Sequence, residues 1–350
     1  MNRLSAISSS ALQQMVLKKT AQPALLKVDT HHHYVPDFYA KAVEDAGGDP
    51  SGWATPNWSK EHSKEIMERL GVQTAILSVT APGACILKGQ NSYDLARRLN
   101  EYGASLRNEC PERFGFFASL PSLLDTEAAL AEIKYAIDVL HADGVTLFTK
   151  YGEGNVYLGH PLLQPIWAEL NRREAVVFVH PSSPVDTNRI NAKMPQPMID
   201  YPHETTRAAM DMILMGTRQK FPKTTVILSH AGGTLPYLIS RVITPLKQVP
   251  DTAASVTLGT TYDRAIADLR SFYYDLALSS SKHVLDMLLA MVPHDHILYG
   301  SDYPYAPLPA YSAFRDELEK YPMADDIRKD IYSANAIRLI PRLLKLKQSM

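Results

Sequence analysis

The chain has 350 residues, 45% hydrophobic and 21% charged, with a net charge of −1 when histidine is neutral. That is the make-up of a globular protein, and the lack of any Lys/Arg block speaks against nucleic acid as a partner. No apolar run reaches the ~18 residues of a membrane helix, and two cysteines, Cys85 and Cys110, are too few for a disulfide framework and fit the reducing cytoplasm.

Residues 1–24, with Arg3, Lys18, Lys19 and no acid, read as an N-terminal extension. They lack the uninterrupted apolar core of a secretory signal. From 25 to 345 the pattern is that of one domain. Apolar, β-branched or aromatic runs at 25–31, 72–79, 114–121, 144–149, 175–181, 224–230, 272–278 and 296–301 predict strands. Helix-like segments fall between or after them near 59–70, 91–110, 125–141, 161–173, 204–220, 234–248, 281–291 and 324–338. Gly71 is placed to end the first helix and Asp125 to cap the third. Near-continuous apolar strands suit a parallel sheet covered on both faces, and eight alternations predict an α/β protein of the (β/α)₈ TIM-barrel type. Two long loops follow strands, 34–58 with its prolines and glycines and 182–203, and such loops build or cover barrel active sites.

Four strings sit at strand ends: Asp29-Thr-His31-His32-His33, Phe-Val-His180-Pro, Leu-Ser-His230-Ala-Gly-Gly and Tyr-Gly-Ser-Asp302-Tyr-Pro. Residues i and i+2 of a strand point the same way, so His31 and His33 face one side and His32 the other. Each histidine alone is commonplace. Five polar residues at strand ends, spread over some 270 residues, predict convergence on one barrel rim around a divalent metal.

This ordered set of motifs resembles the amidohydrolase superfamily, and within it the amino-carboxymuconate-semialdehyde decarboxylase branch, over residues 27 to 340. The resemblance implies that His31, His33, His180 and Asp302 hold the metal and that His230 works beside them as an acid/base. Mixed imidazole and carboxylate ligation suits Zn²⁺, with Mn²⁺ or Mg²⁺ as alternatives. The fourth strand is followed by Lys150, the kind of residue that bridges two metals in binuclear relatives; here it reads as a loop cation. The branch's arginine after the first strand has no counterpart between His33 and Arg69, which disfavours a dicarboxylate. Arg241, eleven residues after His230, matches a second arginine of the branch that reaches the neighbouring subunit of a homodimer.

The pattern is therefore more similar to the ortho-hydroxybenzoate decarboxylases of the branch. It implies a small aromatic carboxylate as substrate, 6-methylsalicylate yielding 3-methylphenol and CO2, with His230 and Asp302 as the catalytic pair. Tyr305, Phe38, Trp53 and Trp58 are candidates to wall the ring. The alternative is a hydrolase or hydratase acting on a lactone through metal-bound hydroxide. A silent barrel would have lost ligands, and none is missing.

Overall fold

The computed structural model describes residues 26–348; the N-terminal extension lies outside the described residues. Eight parallel strands follow one another around the sheet in chain order: β1 (Lys27–His33), β2 (Val72–Ser78), β3 (Phe114–Ala118), β4 (Gly144–Phe148), β5 (Val176–His180), β6 (Thr225–Leu228), β7 (Tyr273–Asp275) and β8 (Ile297–Leu298). All eight predicted strands are present. The ring closes where β1 meets the end of β8: Thr30 N donates to Tyr299 O, Asp302 N to His31 O and His33 N to Tyr303 O at 3.0, 2.8 and 2.7 Å. Buried Asp29 reinforces that seam, accepting from the backbone N–H groups of His31 and Ser301, both at 3.1 Å.

The strands are apolar because both faces are covered. On β5, Val176 and Phe178 point into the barrel while Val177 and Val179 face the surrounding helices. The interior layer comprises Val28, Ile76, Phe117, Phe178, Ile227 and Leu298, with Ala336, Ile340 and Leu343 packed against it. Phe117 and Phe178 stack at 5.7 Å, and Phe178 meets the His31 ring edge-on at 4.9 Å. Fully buried side chains of this size stabilise by about 1.5–3 kcal/mol each, and they form the floor under the histidines. In β1 the pairing with β2 slips between Asp29 and His32. The slip changes which face the alternation serves, carrying the chain from Val28 in the interior to His31 and His33 in the interior.

Helix ends follow the sequence where caps were legible. Gly71 ends the helix Lys60–Leu70 at φ 70°, and Asp125 accepts a hydrogen bond from Ala128 N at the start of Thr126–Asp138. The chain also forms helices that the reading missed: Asp37–Asp45 inside the first long loop, Asp251–Leu258 and Tyr262–Ser271 before β7, Leu308–Lys320 after β8, and Pro341–Gln348. A two-stranded hairpin, Lys150–Tyr151 with Val156–Tyr157, follows β4. Among the described residues no helix is long and apolar enough to cross a membrane.

Candidate metal centre

Parallel strands in sequential order deliver their C-terminal residues to one rim, and the separated motifs meet there. His31 and His33 come from β1, His180 from the end of β5, and Asp302 from the turn beyond β8. One ligand atom from each lies within 4.8 Å of the others, and all four residues are buried. Nε2 of His31 is 3.0 Å from Nε2 of His33 and 3.3 Å from Oδ1 of Asp302; His33 Nε2 is 3.1 Å from the same oxygen.

The opposite ring nitrogens fix what these atoms are. Nδ1 of His31 faces Asp275 Oδ2 at 3.0 Å, Nδ1 of His33 faces Ser78 O at 3.2 Å, and Nδ1 of His180 faces Pro181 O at 2.8 Å. Carboxylate and carbonyl oxygens only accept, so the Nδ1 of His31 and of His180 carries a proton and Nε2 is the atom left to bind an ion, while Ser78 Oγ, 2.9 Å from His33 Nδ1, can donate or accept. Imidazole nitrogens and a carboxylate oxygen this close need positive charge among them, either a proton on His31 Nε2 or a metal ion in its place. The donor set, three imidazoles and one carboxylate, therefore fits a divalent ion with coordination positions left for water or substrate.

Burial works to lower His31, but Asp275 and Asp302 outweigh it and push its pKa up to about 10. His180 is held well below the usual imidazole value by burial and by the neighbouring histidines, and His33 is lowered chiefly by burial. Burial works to raise Asp302, yet His31 and hydrogen bonds from the surrounding imidazoles hold its carboxyl well below the ordinary range. The backbone is strained at the same place. His230, Ala231, Leu278 and Asp302 all have φ between 50° and 61°, a conformation costing about 1–3 kcal/mol per non-glycine residue. His230 Nε2 lies 3.2 Å from Asp302 Oδ2, while its Nδ1 is buried without a hydrogen-bond partner.

The centre opens into a cavity of about 300 Å³. His180, His230 and Asp302 form its polar floor, and Trp53, Tyr305, Leu278 and Phe314 are among its apolar walls. Tyr305 meets the His33 ring edge-on at 5.5 Å. No Lys or Arg is among the lining residues; Asp49, whose carboxyl is raised by burial, faces the cavity from the first long loop.

Two expectations need correction. Phe38 does not line the cavity: the helix Asp37–Asp45 turns its ring onto Tyr102, at 5.9 Å, and beneath the Arg98 guanidinium, at 4.0 Å. Trp58 likewise packs against Tyr34 and Tyr102. Arg241, expected to serve a neighbouring subunit, is exposed on the last turn of Leu235–Ile243, outside the cavity lining of its own chain. Lys150 stands apart from the metal ligands, in the hairpin after β4, where its ammonium contacts Gly152 O at 3.3 Å, as a loop cation does. The reading also missed Asp275. Its one signal was an aspartate inside the apolar run FYYDLAL, where a buried acid needs a partner.

An amidohydrolase family model matches residues 28–342. The 6-methylsalicylic acid decarboxylase of Penicillium expansum is 48% identical over 320 residues, 91% of this chain and 97% of the relative. That of Aspergillus aculeatus is 49% identical over 322 residues, again 91% and 97%. Among solved structures, a dihydroxybenzoic acid decarboxylase from Polaromonas sp. JS666, with bound manganese and the inhibitor 2-nitroresorcinol, superposes with a TM-score of 0.78 at 22% identity, covering 90% of this chain and 97% of the other. The chain belongs to the amidohydrolase family, in the decarboxylase branch that includes the 6-methylsalicylic acid decarboxylases.

Proposed function

We propose that this protein removes the carboxyl group of 6-methylsalicylate, or of an ortho-hydroxybenzoate of that class, giving 3-methylphenol and CO2. The observation that carries the reading is a metal-ligating floor beneath an apolar, ring-sized cavity with no Lys or Arg on its walls among the described residues. A monoanionic aromatic acid matches that lining, whereas a second carboxylate would find no Lys or Arg there and would face Asp49. The two relatives at 48% and 49% identity carry the name of this activity.

A divalent ion held by His31, His33, His180 and Asp302 would supply Lewis-acid polarisation of the substrate's oxygens. The protein's own part is orientation and proton placement. Trp53, Tyr305 and Phe314 exclude water and hold the ring. His230 delivers a proton to the ring carbon that bears the carboxylate. That carbon becomes tetrahedral, its bond to the carboxylate breaks, CO2 departs and the electron pair restores aromaticity. The proton gained by the ring replaces the carboxylate lost, and His230 is reprotonated from solvent. Asp302, held well below the ordinary carboxyl range, is unsuited to donate; it accepts from His230 Nε2 and orients that ring.

We take Zn²⁺ as the resident ion, with Mn²⁺ as the other candidate, and a homodimer as the working form, in which exposed Arg241 serves the neighbouring subunit. The free thiols of Cys85 and Cys110 fit a cytoplasmic location. Purified protein loaded with either metal is expected to release CO2 and 3-methylphenol from 6-methylsalicylate. Hydrolysis of lactones with no decarboxylation would overturn the proposal. Element analysis and a sizing column test the metal and the dimer.

A further inference from the structure

Asp275 ends β7 fully buried, and its two oxygens meet three donors. Oδ2 takes the Nδ1–H of His31 at 3.0 Å; Oδ1 takes the backbone N–H groups of Ala277 at 2.9 Å and His230 at 3.2 Å. We infer that Asp275 is a positioning residue that selects the metal-binding tautomer of His31 and, through the same carboxylate, anchors the backbone of His230. The inference rests on the metal-centre reading and not on the identity of the substrate.

Two consequences of the geometry carry it. A carboxylate beside Nδ1 keeps the proton there and leaves Nε2 as the ligating atom. The other tautomer would aim a proton from Nε2 toward His33 Nε2 and Asp302 Oδ1, where the ion belongs. The second oxygen grips the chain where it is least relaxed: His230 and Ala231 both have φ 55°, and Leu278, next to Ala277, has φ 50°. One side chain thus ties a ligand on β1 to the acid/base after β6.

The test is Asp275→Asn, which keeps the shape but removes one acceptor. The amide cannot satisfy three donors. If its oxygen serves the backbone, its NH2 faces His31 Nδ1 and drives the proton to Nε2. If its oxygen serves His31, its NH2 opposes the N–H groups of Ala277 and His230. Competition titrations with Zn²⁺ and Mn²⁺ against a chromophoric chelator are expected to show binding about 10–100-fold weaker in the variant. Affinity within twofold of wild type would overturn the inference, whatever the melting temperature does. A second measurement needs no variant. Imidazole ¹⁵N spectra of the zinc-loaded wild-type protein are expected to show His31 protonated at Nδ1, with slow exchange, and metal-bound through Nε2. A His31 bound through Nδ1, or a wild-type protein that binds neither ion, would overturn it. Failure to decarboxylate 6-methylsalicylate with both metal results intact would sink the proposed substrate and leave Asp275 in its role.

Discussion

Raising the pH from 7 to 8 is expected to tighten divalent-metal binding about tenfold, because one proton must leave as one ion enters. The four ligands differ in protonation state. Asp302 is held well below the ordinary carboxyl range and is ionised; His33 and His180 are lowered and neutral. His31 alone, between Asp275 and Asp302, is pushed up to about 10 and is still charged at pH 7.5. Displacing its proton there costs about 3 kcal/mol. Calorimetric titration in two buffers of different ionisation enthalpy counts the protons released, and chelator competition at each pH gives the slope. Three ordinary imidazoles would already be neutral near pH 7.5 and would give a flat curve; that result would refute the reasoning, as would release of two protons. The sign for stability follows from the same group. His31 is raised in the fold above its unfolded value, so its contribution to the metal-free protein is complete below about pH 6.5 and is lost as pH rises toward 10. Denaturant midpoints of the metal-free protein are expected to fall across that window.

Other outcomes follow from named contacts. His180→Ala removes a ligand atom, so element analysis after dialysis is expected to show loss of the bound ion and activity together. His230→Asn is expected to lower kcat by about 10²–10⁴-fold while the protein retains its metal, since His230 is not one of the four ligands; a variant that keeps near-normal turnover would remove it from the mechanism. Phe38→Leu is expected to leave KM within about twofold, its ring lying on Tyr102 and Arg98, whereas Trp53→Ala, in the cavity wall, is expected to raise KM with stability little changed. Glu132 is fully buried and accepts from Asn100 Nδ2 at 2.7 Å and Arg97 Nε at 2.9 Å. Glu132→Ala removes an acceptor the two share, leaving Asn100 its bond to Ser119 O and partly exposed Arg97 its bond to Tyr93, and is expected to cost about 1–3 kcal/mol in a urea melt.

What could be read from the sequence was what topology converts into proximity. In a barrel whose strands follow chain order, a residue at the end of β1 and one just past β8 are neighbours, and His33 and Asp302 touch across 269 positions. The strands themselves are legible because two-sided burial leaves long apolar runs. Features that depend on what a side chain meets were not legible. Phe38 is close to His33 in numbering, yet the helix Asp37–Asp45, whose Tyr39 and Val43 are buried one turn apart, rotates it away. Its helical period was hidden in a loop dominated by proline and glycine. Trp53 arrives at the cavity because Gly52, at φ 73°, allows a turn that most residues resist. The hairpin after β4 is too short to show any period.

Asp275 marks the deeper limit. The four ligands announce themselves by residue type at strand ends, but a metal site also needs each imidazole in the correct tautomer. That choice belongs to partners such as Asp275, Ser78 and Pro181 O, and a backbone carbonyl such as Pro181 O has no residue signature at all. A chain could therefore keep His31, His33, His180 and Asp302, match every motif, and still bind metal poorly if the residue on β7 could not accept from His31. The strand β7 is in this sense as much a part of the centre as β1, and its variants discriminate a preorganised site from a fortuitous gathering of histidines.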